Sequence, residues 1–81
     1  MMSCEEHDYI EIACTFQYPV RLILTSGVII EGRALDTQRN GARDECIKIE
    51  VAGVESLVLQ NDIARMEALA DNPHFQVVLF S

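Results

Sequence analysis

Cys4, His7 and Cys14 are the side chains in this 81-residue chain whose types and closeness in sequence could hold a metal. C-x2-H with one further thiol supplies three donors where a structural zinc site takes four, so no metal is expected. The two histidines, His7 and His74, have no sequence neighbours that build a nucleophile, base and orienting acid. Gly27-x4-Gly32 lacks both the spacing of a phosphate-binding glycine loop and a helix following it. No catalytic constellation and no cofactor site emerges, and the chain reads as a non-enzyme. What remains are carboxylates: Asp8 and Glu11, in the stretch "HDYIEIAC", stand on an otherwise apolar segment ahead of the first basic residue, Arg21.

Charge gives those carboxylates a context. Thirteen acids against six bases leave a net charge of −7, which repels polyanions and removes the counterion release that drives nucleic-acid binding. The same field speeds encounter with a basic partner. Phe16, Phe75 and Phe80 lack interleaved Lys and Arg, so they read as core rather than as base-stacking platforms. Three cysteines, odd in number and without a CxxC pair, fit a reducing compartment. Neither a signal-peptide pattern nor an apolar run approaching the ~20 residues of a membrane span is visible. A cytoplasmic protein, away from the membrane and monomeric when free, is the expectation.

The elements that must position Asp8 and Glu11 follow from periodicity. Tyr9, Ile12, Ala13 and Phe16 fall at i, i+3, i+4 and i+7, widened by Ile10 and Cys14, which predicts a helix from about Asp8 to Gln17 closed by Pro19. Asp8 at the N-cap with Glu11 three positions on resembles a capping box. On the wheel Asp8, Glu11 and Thr15 share the side facing away from the apolar stripe. Residues 1–7 read as a flexible N-terminus and residues 8–81 as a single domain. After Pro19 the period drops to two. "VRLILTSGVIIEGRAL" reads as a hairpin turning at Ser26-Gly27, with Gly32 marking a bulge or bend. "DTQRNGARDE" (residues 36–45) reads as an exposed loop. "CIKIEV" and "ESLVL" make a second hairpin about Ala52-Gly53. Residues 63–69 read as a turn leading into a strand, and "FQVVLF" as the last strand. The fold class is mainly β (α+β): a short N-terminal helix on a strongly bent five- to six-stranded antiparallel sheet, curled into a small barrel that handles its own edges.

Ile10-Glu11-Ile12-Ala13-Cys14, followed by the "VRLIL" strand and a glycine-bearing hairpin, resembles the opening of the Rof (YaeO) family of bacterial Rho-binding antiterminators. The resemblance covers about Asp8 to Phe80 and is most specific in that opening run. It implies an Sm-like fold. Leu24-x2-Gly27-x4-Gly32 resembles the first half of an Sm motif, although the acid that should follow arrives early, at Asp36. It also implies a role: binding the hexameric transcription terminator Rho near its primary RNA-binding site, a cationic groove, so that RNA loading and termination are weakened. Asp8 and Glu11 match acids of the family's opening motif and are the expected Rho-contacting residues. The alternative, an Sm-like RNA-binding or ring-forming module, has the fold in its favour and the charge of −7 against it.

Overall fold

The computed structural model describes residues 4–80, with side chains from residue 6 onward. Among these residues one helix, α1 (Cys4–Thr15), precedes six strands: β1 (Pro19–Leu24), β2 (Ile29–Arg39), β3 (Glu45–Val51), β4 (Val54–Leu59), β5 (Ile63–Ala68) and β6 (Val77–Leu79). A single 3-10 turn, Gln60–Asp62, joins β4 to β5. The strands form one antiparallel sheet in the order β4-β3-β2-β1-β5-β6. Val58 near one edge, Val78 at the other and Ile10, Ala13 and Cys14 of α1 belong to one buried cluster. The sheet therefore wraps a single core, as the bent mainly-β expectation requires.

The helix starts four residues earlier than the periodicity indicates. Residues 4–7 are helical rather than a loose lead, and Asp8 lies within the helix instead of capping it. Glu6 in the first turn suits the positive end of the helix dipole, so the helix extends backwards without help from an apolar stripe. Residues 1–3 of the expected flexible N-terminus lie outside the described residues. At the other end, Gln17 adopts a left-handed backbone, φ 53°. Its N–H donates to the Cys14 carbonyl at 3.2 Å, and the Tyr18 N–H donates to Ala13 at 2.9 Å. This is the Schellman arrangement, which spends otherwise unused helix carbonyls, with glutamine where glycine is usual. The turn then feeds Pro19 directly into β1.

The buried stripe of α1 is centred on Ile10, Ala13 and Cys14, not on the expected Tyr9–Phe16 face. Phe16, expected in the core, is 54 % exposed; it stacks on Tyr18 at 5.5 Å and His74 at 5.1 Å between ring centroids. Tyr9 meets the buried Phe75 edge-on at 6.0 Å. One flank of the helix is thus zipped by aromatic rings to the loop before β6.

Both expected hairpins form. The β3–β4 turn carries positive φ at Ala52 (51°) and Gly53 (82°), the twist-matched two-residue turn that asks for left-handed residues at both positions. Gly32 is not the site of the bulge. A Cβ built there would lie 2.3 Å from the Glu50 carbonyl oxygen and 2.9 Å from Val51 Cγ2, so its lack of a side chain is what lets β3 cross closely over β2. The bulge comes three residues later: Ala34 pairs with Ile49 but Asp36 with Lys48, leaving Leu35 as the extra residue. The expected loop at residues 36–45 is correspondingly shorter. β2 runs on to Arg39 and pairs with β3 up to Glu45, since polar residues on a strand whose outer face meets solvent look like loop in sequence. Only residues 40–44 turn, organised by Asn40 Oδ1, which accepts from the Ala42 and Asp44 N–H groups at 2.9 and 3.0 Å.

On the central strands a row of charges crosses the sheet. Arg21 on β1 lies opposite Glu31 on β2 and Glu67 on β5, and is bonded to both; Glu67 is also 2.8 Å from Arg65 Nε. Cross-strand pairs of this kind help fix the register of β1 between its neighbours.

Candidate acidic groove on the first helix

The helix flank opposite the aromatic seam runs along the outer half of β2, and the space between them is a shallow groove. One part, a hollow of about 270 Å³, is lined by His7, Glu11, Thr37, Gln38, Arg39, Glu45 and Gln60. A second, of about 240 Å³, is lined by Glu11, Cys14, Thr15, Leu35, Asp36 and Thr37. Glu11 and Thr37 line both, so the two hollows adjoin along the helix. The geometry has local causes. The 1.5 Å rise and 100° step of the helix put His7, Glu11 and Thr15 on one flank. The Leu35 bulge re-phases β2 so that Leu35, Asp36 and Thr37 border the groove while Ala34 stays in the core. The Arg39↔Glu45 pair at the end of the β2–β3 ladder brings Glu45 to its far end.

Three carboxylates border this groove, Glu11, Asp36 and Glu45, and all three are exposed. Two of them, Asp36 and Glu11, are felt by Cys14. Burial pushes its thiol up to about 12, and the negative charges of Asp36 and Glu11 push in the same direction. Cys46 is raised as well, chiefly by burial. Both are free thiols kept protonated and shielded, so neither has the depressed pKa of a reactive cysteine. Glu45 already has two neighbours: His7 Nε2 lies 3.4 Å from Glu45 Oε2, and Arg39 Nη2 4.0 Å from Glu45 Oε1. The groove can therefore offer acceptors to an incoming cation, at a long, solvent-exposed pair that is cheap to displace.

Of the two residues singled out from sequence, Glu11 sits on the rim of the groove, at the junction of its two hollows. Asp8 is exposed on α1 but lines neither hollow. Asp36 and Glu45 read in sequence as part of a solvated loop, and Gln60 carries no sequence signal at all. Among the described residues no group of three or more His, Cys, Asp or Glu side chains gathers as a metal set, and the Cys4 side chain lies outside the described residues. Among the described residues no helix is long and apolar enough to cross a membrane.

The chain and its fold are matched by known proteins. The family model described as "Modulator of Rho-dependent transcription termination (ROF)" matches residues 1–80. The chain belongs to this family. A solved structure, YaeO bound to magnesium from Vibrio cholerae O395, superposes with a TM-score of 0.89 at 43 % identity, covering 91 % of this chain and 96 % of that one. No curated protein matches. ROF-family proteins are regulators of termination rather than enzymes, and the fold and opening motif read from the sequence agree with this membership.

Proposed function

We propose that this protein binds Rho near its primary RNA-binding site through the acidic flank of α1, excludes RNA and so weakens Rho-dependent termination in the cytoplasm. The observation that carries the reading is the placement of Asp8 and Glu11 on the exposed side of α1, with Asp36 and Glu45 extending the same negative surface across the groove. Family membership supplies the partner, a component of Rho-dependent termination. A chain of net charge −7 suits a groove built to hold a polyanion, because complementary potentials raise the association rate and select the partner.

Replacing Asp8 and Glu11 together by lysine changes the net charge from −7 to −3, two units for each reversal. Rim charges act mainly on association rate and salt dependence. Asp8→Lys/Glu11→Lys should bind purified Rho more slowly and with a flatter salt dependence, while its circular dichroism spectrum stays native. Wild-type protein should displace single-stranded RNA from Rho. Native-like affinity in the folded double variant would remove these two residues from the interface, and failure of the wild type to bind Rho would overturn the reading.

A further inference from the structure

The larger hollow contains a feature that a merely acidic surface does not account for. Gln60, held at the end of β4 by the 3-10 turn, is 4 % exposed and lines this hollow beside Glu11, Thr37 and Glu45. Its Nε2 donates to the Cys46 carbonyl at 3.3 Å. Its Oε1 is buried and meets no donor among the described residues. Turning the amide over does not help, since Oε1 would then face the Cys46 carbonyl oxygen. Buried acceptors without donors are rare in folded proteins, and one on a side chain that lines a groove bordered by carboxylates calls for a donor from outside.

We propose that this hollow receives one guanidinium group, an arginine side chain of Rho, which donates to Gln60 Oε1 and to the Glu11 and Glu45 carboxylates. The proposal rests on Rho being the partner and adds the chemistry of a single anchoring contact. A guanidinium suits the site better than an ammonium. Its planar fork carries five donors that can reach several acceptors at once, and its weaker hydration lowers the cost of meeting a buried amide. Arg39, at the mouth and 67 % exposed along its side chain, already makes a distant pair with Glu45. The incoming group competes with it.

Two measurements test this. Isotope-labelled protein is titrated with Nα-acetyl-arginine methylamide and, separately, with its uncharged citrulline counterpart, following the Gln60 side-chain amide and the Glu11 and Glu45 resonances. Affinity for Rho is then measured for Gln60→Met, Glu45→Gln and Arg39→Ala. The expected result is a shift with the arginine compound alone. Gln60→Met should bind Rho about tenfold or more weakly, the size of one lost charge-assisted hydrogen bond. Glu45→Gln, an exposed change that leaves the core alone, should also bind more weakly, and Arg39→Ala more tightly. If wild type binds Rho and both weakening variants bind as tightly as it does, the guanidinium site is overturned while the acidic-flank reading stands. If the arginine compound shifts Gln60 but Rho does not bind, Rho is overturned as the source of the side chain.

Discussion

Replacing Gly32 by alanine tests whether the close crossing of β2 and β3 is what shapes this fold. The added Cβ would sit 2.3 Å from the Glu50 carbonyl oxygen, where real Cβ contacts stay beyond 3.0 Å, so the strands must part by at least 3.0 − 2.3 = 0.7 Å. The obstacle is backbone, which cannot swing aside as a side-chain tip does. Parting strains the neighbouring Arg33↔Glu50 and Ala34↔Ile49 pairs, and Ala34 and Ile49 are both fully buried. Overpacking of this kind costs about 1–3 kcal/mol, and a backbone clash belongs at the upper end. The lower chain entropy of alanine returns about 0.4–1 kcal/mol, leaving a net loss of about 2 kcal/mol. Typical stabilities per residue give a domain of this length roughly 4–12 kcal/mol in total. The loss should lower Tm by about 8–16 °C at 4–8 °C per kcal/mol. Urea and thermal unfolding of Gly32→Ala beside Gly41→Ala is the assay. No heavy atom lies within 4 Å of the position a methyl group on Gly41 would take, so that variant should be neutral or slightly stabilised. A Gly32→Ala protein as stable as wild type would refute the close-crossing account, because a glycine that only adds freedom to a strand gains from the change.

Two further outcomes follow from the backbone and the thiols. Gln17→Gly and Ala52→Gly, at left-handed positions with φ 53° and 51°, should each stabilise by up to about 1 kcal/mol in urea unfolding, the strain relieved outweighing the flexibility added. The Cys14 thiol, pushed up to about 12 in the folded protein, should resist iodoacetamide at pH 8 until the chain is denatured. Its ordinary value is 9.0, so the unfolded chain ionises first; stability is retained below pH 9 and declines as pH rises from 9 toward 12. Alkaline titration of the unfolding midpoint, with Cys14→Ala as control, reads that loss.

Features carried by neighbours along the chain are legible in the sequence. The β1–β2 and β3–β4 hairpins declare themselves by period-two alternation around Ser26-Gly27 and Ala52-Gly53, and Ile10–Cys14 gives the helix and the family. What escapes depends on residues far apart in sequence. Gly32 shows as a break in the strand pattern, but the constraint on it, the Glu50 carbonyl, lies eighteen positions away. The "DTQR" segment looks like loop because its ladder to β3 satisfies the backbone without an apolar side-chain pattern. Glu11 is legible as a surface acid, whereas its convergence with Asp36, Glu45 and Gln60 is made by the bulge and the strand order. Phe16 reads as core but lies outside it because the helix turns its Ile10–Ala13–Cys14 side inward, which a stripe six apolar residues wide leaves ambiguous.

The aromatic seam has a practical consequence. The chain contains no tryptophan and two tyrosines. Both lie where α1 and its exit turn meet the loop before β6: Tyr9 against Phe75, and Tyr18 against Phe16, His74 and Phe75. Its phenol spectroscopy is therefore a local signal of one joint. Near-ultraviolet dichroism and tyrosine emission report whether the helix is seated on the sheet, without a label, and a single introduced tryptophan elsewhere would read the rest of the molecule against that built-in reference.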